Sequence, residues 1–495
     1  MMSLVCILGA SFVLTVTLMP LARELALRAG LVDHPDGRRK IHARAIPLAG
    51  GGAILTSTIM TLSGALLIPH ELQESLREQL WFLLGLVVAA LLIYAVGVAD
   101  DRVRLRGRHK LLGQCVAVSV LMSFGVMVRN IQWFGLHIEL GLLAAPFTAF
   151  VLLGAINSLN LIDGMDGLLG SVASILCLAL AAMAALAGQS AMAAVAMALA
   201  GASLGFLPYN WPPARVFLGD AGSMIVGLVV GTLAIQSSLK APATVALTMP
   251  LVLLTLPIFD TTAAILRRKL TGRSIYSADR GHLHHCLLRS GLSVRGVLLL
   301  VSTLCVVTVL SVLASQAFNN EWIALITALA VMGTLLTTGL FGYAEAMLVK
   351  EQLLALAWHP FVRGPKGGVR QLAVRLQGSA NWEELWATLL QTAAGLNLQQ
   401  LCLDVNAPAV HEGYHARWTR DHEDGEMPTL WRAAFPLAIA DCVVGRLEIA
   451  GVSDTQPVWA KVAAIMHAVE HIEVVIGNLA SGQSAPETVL IGESA

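Results

Sequence analysis

Carboxylates crowd into a few short stretches of this 495-residue chain. Asp100 and Asp101 are adjacent and are followed by Arg102, Arg104, Arg106, Arg108 and Lys110. Neighbouring carboxylates repel unless a cation or a proton lies between them. The stretch therefore suits a divalent metal or an anion held through the arginines, with a solvated charge cluster at the headgroups as the bland alternative. The most specific pattern is Asn157-x-x-Asn160-x-x-Asp163-Gly164-x-Asp166-Gly167. Three-residue spacing keeps Asn157, Asn160 and Asp163 near one helical face. The glycines let backbone approach a ligand, and no basic residue there neutralises Asp163 and Asp166. Oxygen-only ligands of this kind suit Mg²⁺ or Mn²⁺. Helix capping would explain Asp166, but not the two asparagines.

Three further stretches belong with these. Asn210-Trp211-Pro212-Pro213 leads to Gly219-Asp220-Ala221-Gly222-Ser223, where Asp220 opens an apolar run. A carboxylate there favours the helix dipole, and the glycines point to a tight, ligand-facing turn. Arg267-Arg268-Lys269 and Arg273 precede Asp279-Arg280-Gly281-His282-Leu283-His284-His285. The histidines lack acidic or cysteine partners at zinc spacing other than Cys286, so the arginines make phosphate the better ligand. Asp260 lies two turns before Arg267 and either orients this loop or pairs with it. Asp33-His34-Pro35 with Arg38-Arg39-Lys40-Ile41-His42 is basic and turn-rich. Together these residues suggest displacement at a diphosphate, with its charge shielded by metal, arginine and histidine.

The elements that position them are membrane helices. Apolar residues make up 56% of the chain and charged ones 13%, against about 25% charged in a soluble protein. A wholly soluble chain and a disordered one are both excluded. Zero net charge gives no field for nucleic acid, and seven scattered cysteines argue against a disulfide framework. A span needs about 20 apolar residues. Nine uncharged runs of that order, plus a 48-residue run at 167–214 that divides at Gly188-Gln189-Ser190, predict eleven transmembrane helices. Loops after odd-numbered spans carry 19 Lys and Arg and those after even-numbered spans 3. Positive loops face the cytoplasm, which puts the N-terminus outside, the C-terminus inside, and Asp100, Asp101, Asp163, Asp166, Asp220, Asp260 and Asp279 on the cytoplasmic side.

These loops resemble the polyprenyl-phosphate N-acetylhexosamine-1-phosphate transferases. The matching pieces are Asp33-x-Pro35 with Arg39-Lys40-x-His42, Asp100-Asp101 with Lys110 and Gln114, Asn157 to Gly167, Gly219-Asp220-x-Gly222-Ser223, and His282-x-His284-His285. They span about residues 1–345. The resemblance implies transfer of a sugar 1-phosphate, GlcNAc-1-phosphate by preference, from a UDP-N-acetylhexosamine to undecaprenyl phosphate. UMP would leave, at the cytoplasmic face of a bacterial inner membrane. It implies Mg²⁺ held by Asp220 with Asp163 and Asp101, and catalytic duties for Asp100, Asp101, Asp163, Asp166 and His282. Substrate binding would fall to Lys40, His42, Lys110, Asn157, Asn160, Arg268, Arg280, His284 and His285. Arg104 stands where a fuller pattern has a third aspartate. A phospho-MurNAc-pentapeptide transferase and a transporter with a regulatory tail are the alternatives, and a homodimer is left open.

Residues 1–349 carry a net charge of +6 and residues 350–495 one of −6. The second part is expected to be a small α/β cytoplasmic domain over 350–480, loosely GAF-like, with 481–495 disordered. Strands are expected at 368–377, 399–405, 430–439 and 442–450, and helices at 381–395 and 456–479. Asn381 and Glu384 suggest a capping box. His411, His415 and His422 make a weak metal pattern.

Overall fold

The computed structural model describes residues 2–33, 45–237, 239–241, 244–246, 248–271, 281–358, 369–377, 382–407, 412–420, 430–439, 442–452 and 457–481. The chain forms two compact units, Met1–Ala263 with His282–Leu340, and Ala264–Gly281 with Phe341–Ala495.

The first unit is built from helices. α1 (Met2–Arg28) passes through the paired strands β1 (Val32–Asp33) and β2 (Ile46–Pro47) to α2 (Gly50–Leu67). The short α3 (Gln73–Glu78) precedes α4 (Leu80–Val103) and α5 (Gly107–Ser123). A hairpin of β3 (Asn130–Trp133) and β4 (Leu136–Glu139) leads to α6 (Ala144–Ile162), α7 (Leu168–Leu186), α8 (Ser190–Asn210) and α9 (Gly219–Ser237). β5 (Leu239–Ala241) and β6 (Thr244–Ala246) complete a four-stranded sheet in the order β4-β3-β6-β5. Then come α10 (Thr248–Leu253), α11 (Thr255–Leu270, which from Ala264 on belongs to the second unit), α12 (Leu283–Arg289), α13 (Val294–Ala317) and α14 (Glu321–Thr337).

Eight described helices, α1, α2, α4, α6 with its preceding turn, α7, α8, α9 and α13, are long and apolar enough to cross a bilayer. This is a multi-pass membrane protein. The other three expected spans fall on shorter helices. Residues 111–128 become α5, which ends at Ser123, and 322–344 become α14, which ends at Thr337. Residues 241–259 do not form one helix. β5 and β6 take their start, and the helix breaks between Leu253 and Thr255. Pro257 explains the break, because it lacks an N–H and its ring clashes with the carbonyl four residues back, at Leu253.

α9 is buried along nearly its whole length. Its small residues let three neighbours approach at backbone distance. A Cβ on Gly51 of α2 would lie 2.5 Å from Gly222 Cα, and one on Gly97 of α4 would strike Ala221 backbone. One on Gly227 would lie 2.6 Å from Ile156 Cα of α6. Membrane helices associate through such small-residue contacts because lipid supplies no hydrophobic drive. Buried hydroxyls add hydrogen bonds, Ser11 Oγ to Ala198 O at 2.6 Å and Thr15 Oγ1 with Ser57 Oγ at 2.6 Å.

The second unit contains α15 (Tyr343–Trp358) and a five-stranded antiparallel sheet. Its strands are β7 (Val369–Gln377), β8 (Leu398–Ala407), β9 (Glu412–Arg420), β10 (Leu430–Ile439) and β11 (Cys442–Val452), in the order β10-β11-β8-β9-β7. α16 (Trp382–Gly395) and α17 (Val458–Ser481) supply Trp382, Trp386, Leu389, Ile465 and Ile472 to a core shared with Leu401, Leu403 and Tyr414. Four strands and both helices match their expected positions within a few residues. β9 was not expected, because Gly413 and its charged neighbours hide the alternation. Its His415 faces Asp404 across the register, Nδ1 3.5 Å from Oδ1. Asn381, His411, His422 and nearly all of 481–495 lie outside the described residues.

Replacing Gly97 by Val should destabilise the protein by about 3 kcal/mol, the upper range for overpacking a filled interior. Thermal unfolding in detergent checks this, and a wild-type transition would refute the close α4–α9 approach.

Candidate active site

The site gathers where α4 ends and α9 begins. Gly219 takes a left-handed φ of 76°, which turns the chain into α9 and leaves its first amide groups unpaired. Asp101, at the end of α4, accepts from both of them. Its Oδ1 lies 2.8 Å from Asp220 N and its Oδ2 3.2 Å from Ala221 N. The expected capping of this helix is real, but the cap is Asp101 from another span, and the Asp220 side chain is released for other contacts.

Asp100 points elsewhere. Its Oδ1 accepts from Leu105 N at 2.7 Å, closing the turn in which Arg104 is left-handed. Its Oδ2 lies 2.8 Å from Lys110 Nζ. That ammonium is also 3.1 Å from Asp220 Oδ1 and donates to Asn160 Oδ1 at 3.2 Å. Asn160 Nδ2 in turn donates to Asp220 Oδ1 at 2.5 Å and to Ser223 Oγ at 2.7 Å. Asp100, Lys110, Asn160 and Asp220, from four helices, thus form one connected group.

Asn157 lies one turn before Asn160 in α6 and pairs elsewhere. Its Nδ2 donates to Gln114 Oε1 at 2.8 Å, and Gln114 Nε2 returns a bond to Asn157 Oδ1 at 3.3 Å. Asp163 caps the end of α6, half-buried. Burial, and then the charges of Asp220, Asp101 and Asp166, raise its pKa well above the ordinary carboxylate value. Asp166 braces the next loop, its Oδ2 accepting from Ala214 N at 2.9 Å. Asn210 works beside it, accepting from Gly167 N at 2.8 Å and donating to Val216 O at 2.9 Å. Sequence reasoning gave Asn210 and Ser223 no role. The available signal was a polar side chain at an apolar run's end, where each amide and hydroxyl needs a partner.

The histidines form a second group. Asp260 Oδ2 lies 3.0 Å from His282 Nδ1, and Asp260 Oδ1 accepts from Leu283 N at 2.8 Å, both groups buried. Asp260 therefore orients the loop, one of the two roles foreseen for it. Arg267 pairs with Glu345 instead, both buried. His284 is buried, its Nε2 has no hydrogen-bond partner among the described residues, and its ring lies against Gly164, where a Cβ would strike it. The ring of His285 is 4.2 Å from that of His284. Contact between Gly164 and His284 brings the histidine loop to the Asp163 loop. Arg268 sits half-buried near the end of α11. Lys40, His42, Asp279 and Arg280 lie outside the described residues.

Among the described residues no three carboxylate, thiolate or imidazole groups converge as a finished metal cage. The donor set nevertheless fits Mg²⁺, which usually takes one or two carboxylates and completes its shell with water and phosphate oxygens. The charge of Asp220 opposes ionisation of Asp163, and a cation between them would relieve that.

Residues 83–238, which hold Asp100, Asp101, Lys110, Asp163, Asp166 and Asp220, match the model of glycosyl transferase family 4. A decaprenyl-phosphate N-acetylglucosaminephosphotransferase of Mycolicibacterium smegmatis is 31% identical over 347 residues, 64% of this chain and 83% of that one. A probable undecaprenyl-phosphate N-acetylglucosaminyl 1-phosphate transferase of Bacillus subtilis is 29% identical over 293 residues, 59% of this chain and 79% of the relative. The undecaprenyl-phosphate alpha-N-acetylglucosaminyl 1-phosphate transferase of Escherichia coli is 28% identical over 325 residues, 64% of this chain and 85% of the relative. The family model and the named relatives place the chain among membrane-embedded phosphosugar transferases. The chain belongs to glycosyl transferase family 4.

Burial, and then the charges of His285 and His282, hold the pKa of His284 well below its ordinary value. The unfolded chain takes up that proton near pH about 6.5, so folded stability is lost as pH falls through the unfolded value. His284→Gln should therefore lose less Tm than wild type between about pH 7.5 and 5.5. Equal losses would contradict a buried neutral ring.

Proposed function

We propose that the protein transfers GlcNAc 1-phosphate from UDP-GlcNAc to a polyprenyl phosphate, undecaprenyl phosphate in the first instance, releasing UMP. The transfer to a polyprenyl phosphate is supported by all the named relatives, whose names favour GlcNAc over MurNAc-pentapeptide. The observation that carries it is the Asp101-capped start of α9, with Asp220, Asn160 and Lys110 gathered within the segment matched by the family. A transporter reading leaves this grouping at helix ends without a purpose.

The reaction forms a bond from a lipid-phosphate oxygen to the β-phosphorus of the UDP-sugar. It breaks the bond from that phosphorus to the bridging oxygen, which leaves with UMP. A phosphate monoester has a second pKa near 6, so the attacking group is already largely dianionic at about pH 7 and needs little help from a base. Both oxygens of Asp100 and both of Asp101 are engaged in hydrogen bonds or ion pairs. That supports positioning duties for the pair, and direct attack over an aspartyl-phosphate intermediate. Asp100 and Asn160 position Lys110, and Asn160 fixes the Asp220 carboxylate. Asp260 turns His282 toward a fixed orientation, suited to holding the diphosphate with His284 and His285. Arg268, Arg280, Lys40 and His42 are proposed to serve the phosphates as well. Asp220, with Asp163 and Asp101 nearby, would hold Mg²⁺. When bound, Mg²⁺ supplies electrostatic stabilisation of the phosphate oxygens.

The eleven-span plan belongs to this reading, with α5, α10 with α11, and α14 as the three shorter crossings. So do the outside N-terminus, the cytoplasmic second unit and the bacterial inner membrane. The second unit is proposed to regulate the transferase or bind a partner.

Purified protein with UDP-GlcNAc and undecaprenyl phosphate should release UMP only with the lipid and Mg²⁺ present. Asp220→Asn should lower kcat by about 100-fold or more, the usual cost of losing a transition-state electrostatic partner. Mg²⁺ should also raise the Tm of wild type and not of the variant. Folded wild-type protein that releases no UMP would refute the assignment.

A further inference from the structure

Glu345 is a buried carboxylate to which the transfer reaction gives no duty so far. It stands in the first turn of α15, beyond α14. Its partner is Arg267, equally buried, in the last turn of α11. Exchanging a buried ion pair for apolar residues of similar volume is often neutral or stabilising, so stability alone does not account for this one. Leu270 of α11 packs with Ala344 and Leu348 of α15 and with Val374 and Leu376 of the edge strand β7. The end of α11, α15 and β7 thus form one packed body within the second unit.

Arg267 also touches the entry to the histidine loop. A Cβ on Gly281 would strike its guanidinium, so the glycine backbone lies directly on that group. Gly281 immediately precedes His282. The next two residues are held by Asp260, through His282 Nδ1 at 3.0 Å and Leu283 N at 2.8 Å. Asp260 and Arg267 are seven residues apart, on one face of α11 and about 10 Å apart along it. One helix therefore carries two anchors for residues 281–283, a carboxylate that bonds their polar groups and a guanidinium on which the glycine rests. The carboxylate is on a short side chain. The guanidinium is on a long one, whose rotamer freedom must be removed before it offers a fixed surface, and Glu345 removes it.

We propose that Glu345 is a positioning residue for the transfer reaction. By pinning Arg267 it fixes where Gly281 enters the histidine loop, and with it the placing of His282 and His284 for the donor diphosphate. The assignment rests on the transferase reading for the role of those histidines. Glu345 lies far outside residues 83–238, the segment matched by the family. It gives the second unit a route to the donor site along the chain from Gly281 to His282.

Glu345→Gln keeps the shape and removes the charge. Losing one partner of a buried pair is strongly destabilising, so a double variant, Arg267→Met with Glu345→Leu, replaces the pair by apolar side chains. In UMP release, Glu345→Gln should raise the KM for UDP-GlcNAc about tenfold, the cost of one lost hydrogen bond. The KM for undecaprenyl phosphate should stay unchanged, and Glu345→Asp should recover part of the loss. The double variant should regain the wild-type Tm and keep the raised KM. A double variant with wild-type Tm and wild-type KM for UDP-GlcNAc overturns the proposal, since the pair would then serve the fold alone. Amide hydrogen exchange of the full chain in detergent reads the same coupling without turnover. Exchange should quicken over residues 281–289 in Glu345→Gln and in the double variant, and stay unchanged over 219–237. Unchanged exchange over 281–289 in Glu345→Gln also overturns the proposal. Faster exchange confined to 281–289, in a protein whose wild type releases no UMP, would sink the transferase reading and leave the coupling of Glu345 to the histidine loop standing.

Discussion

The bond between the Asp101 carboxylate and the first amides of α9 is the constraint on which the site depends. Two helices long enough to cross the membrane meet there end to side, and the amides of one are satisfied by the side chain of the other. In a low-dielectric setting an unpaired helix terminus is costly. The contact is only reachable because Gly97 and Gly51 let α4 and α2 come within backbone distance of Ala221 and Gly222. Small residues, a left-handed Gly219 and one carboxylate thus act together.

From that contact the charges arrange themselves. With Asp101 committed to the amides, Asp220 turns to Asn160 and Lys110, and Asp100 meets Lys110 from the other side. One ammonium between two carboxylates leaves the group short of positive charge, since Asp163 and Asp166 lie close by. A surplus of carboxylate beside apolar helices is stable only with a cation or a proton supplied, and the Mg²⁺ proposed above would be such a cation. The Asp260–His282 pair repeats the logic with imidazole, and the Gly164–His284 contact joins the two groups.

Much of this was legible in the residues. Uncharged runs located the eight long helices, because a bilayer crossing demands both length and apolarity. The Asp100-Asp101, Asn157-to-Gly167 and Gly219-to-Ser223 stretches stood out because charge and amide groups are costly beside apolar runs. Pro257 divided one expected span, and its effect can be read from the sequence once the carbonyl four residues earlier is considered. β9 escaped notice because its residues pack through cross-strand neighbours, and a glycine-containing, charged strand shows no alternation by itself.

The sequence by itself determined which residues carry charge near the ends of apolar runs. Only the tertiary structure decided how the aspartates divide their work. Asp101 caps, Asp166 braces a loop, Asp260 orients a histidine and Asp220 is left facing Lys110. The reason is physical: a carboxylate's role follows from the nearest donor in space, and those donors come from residues 48, 22, 60 and 120 positions away in the chain or further. Such pairings are fixed by helix packing, which no local spacing records.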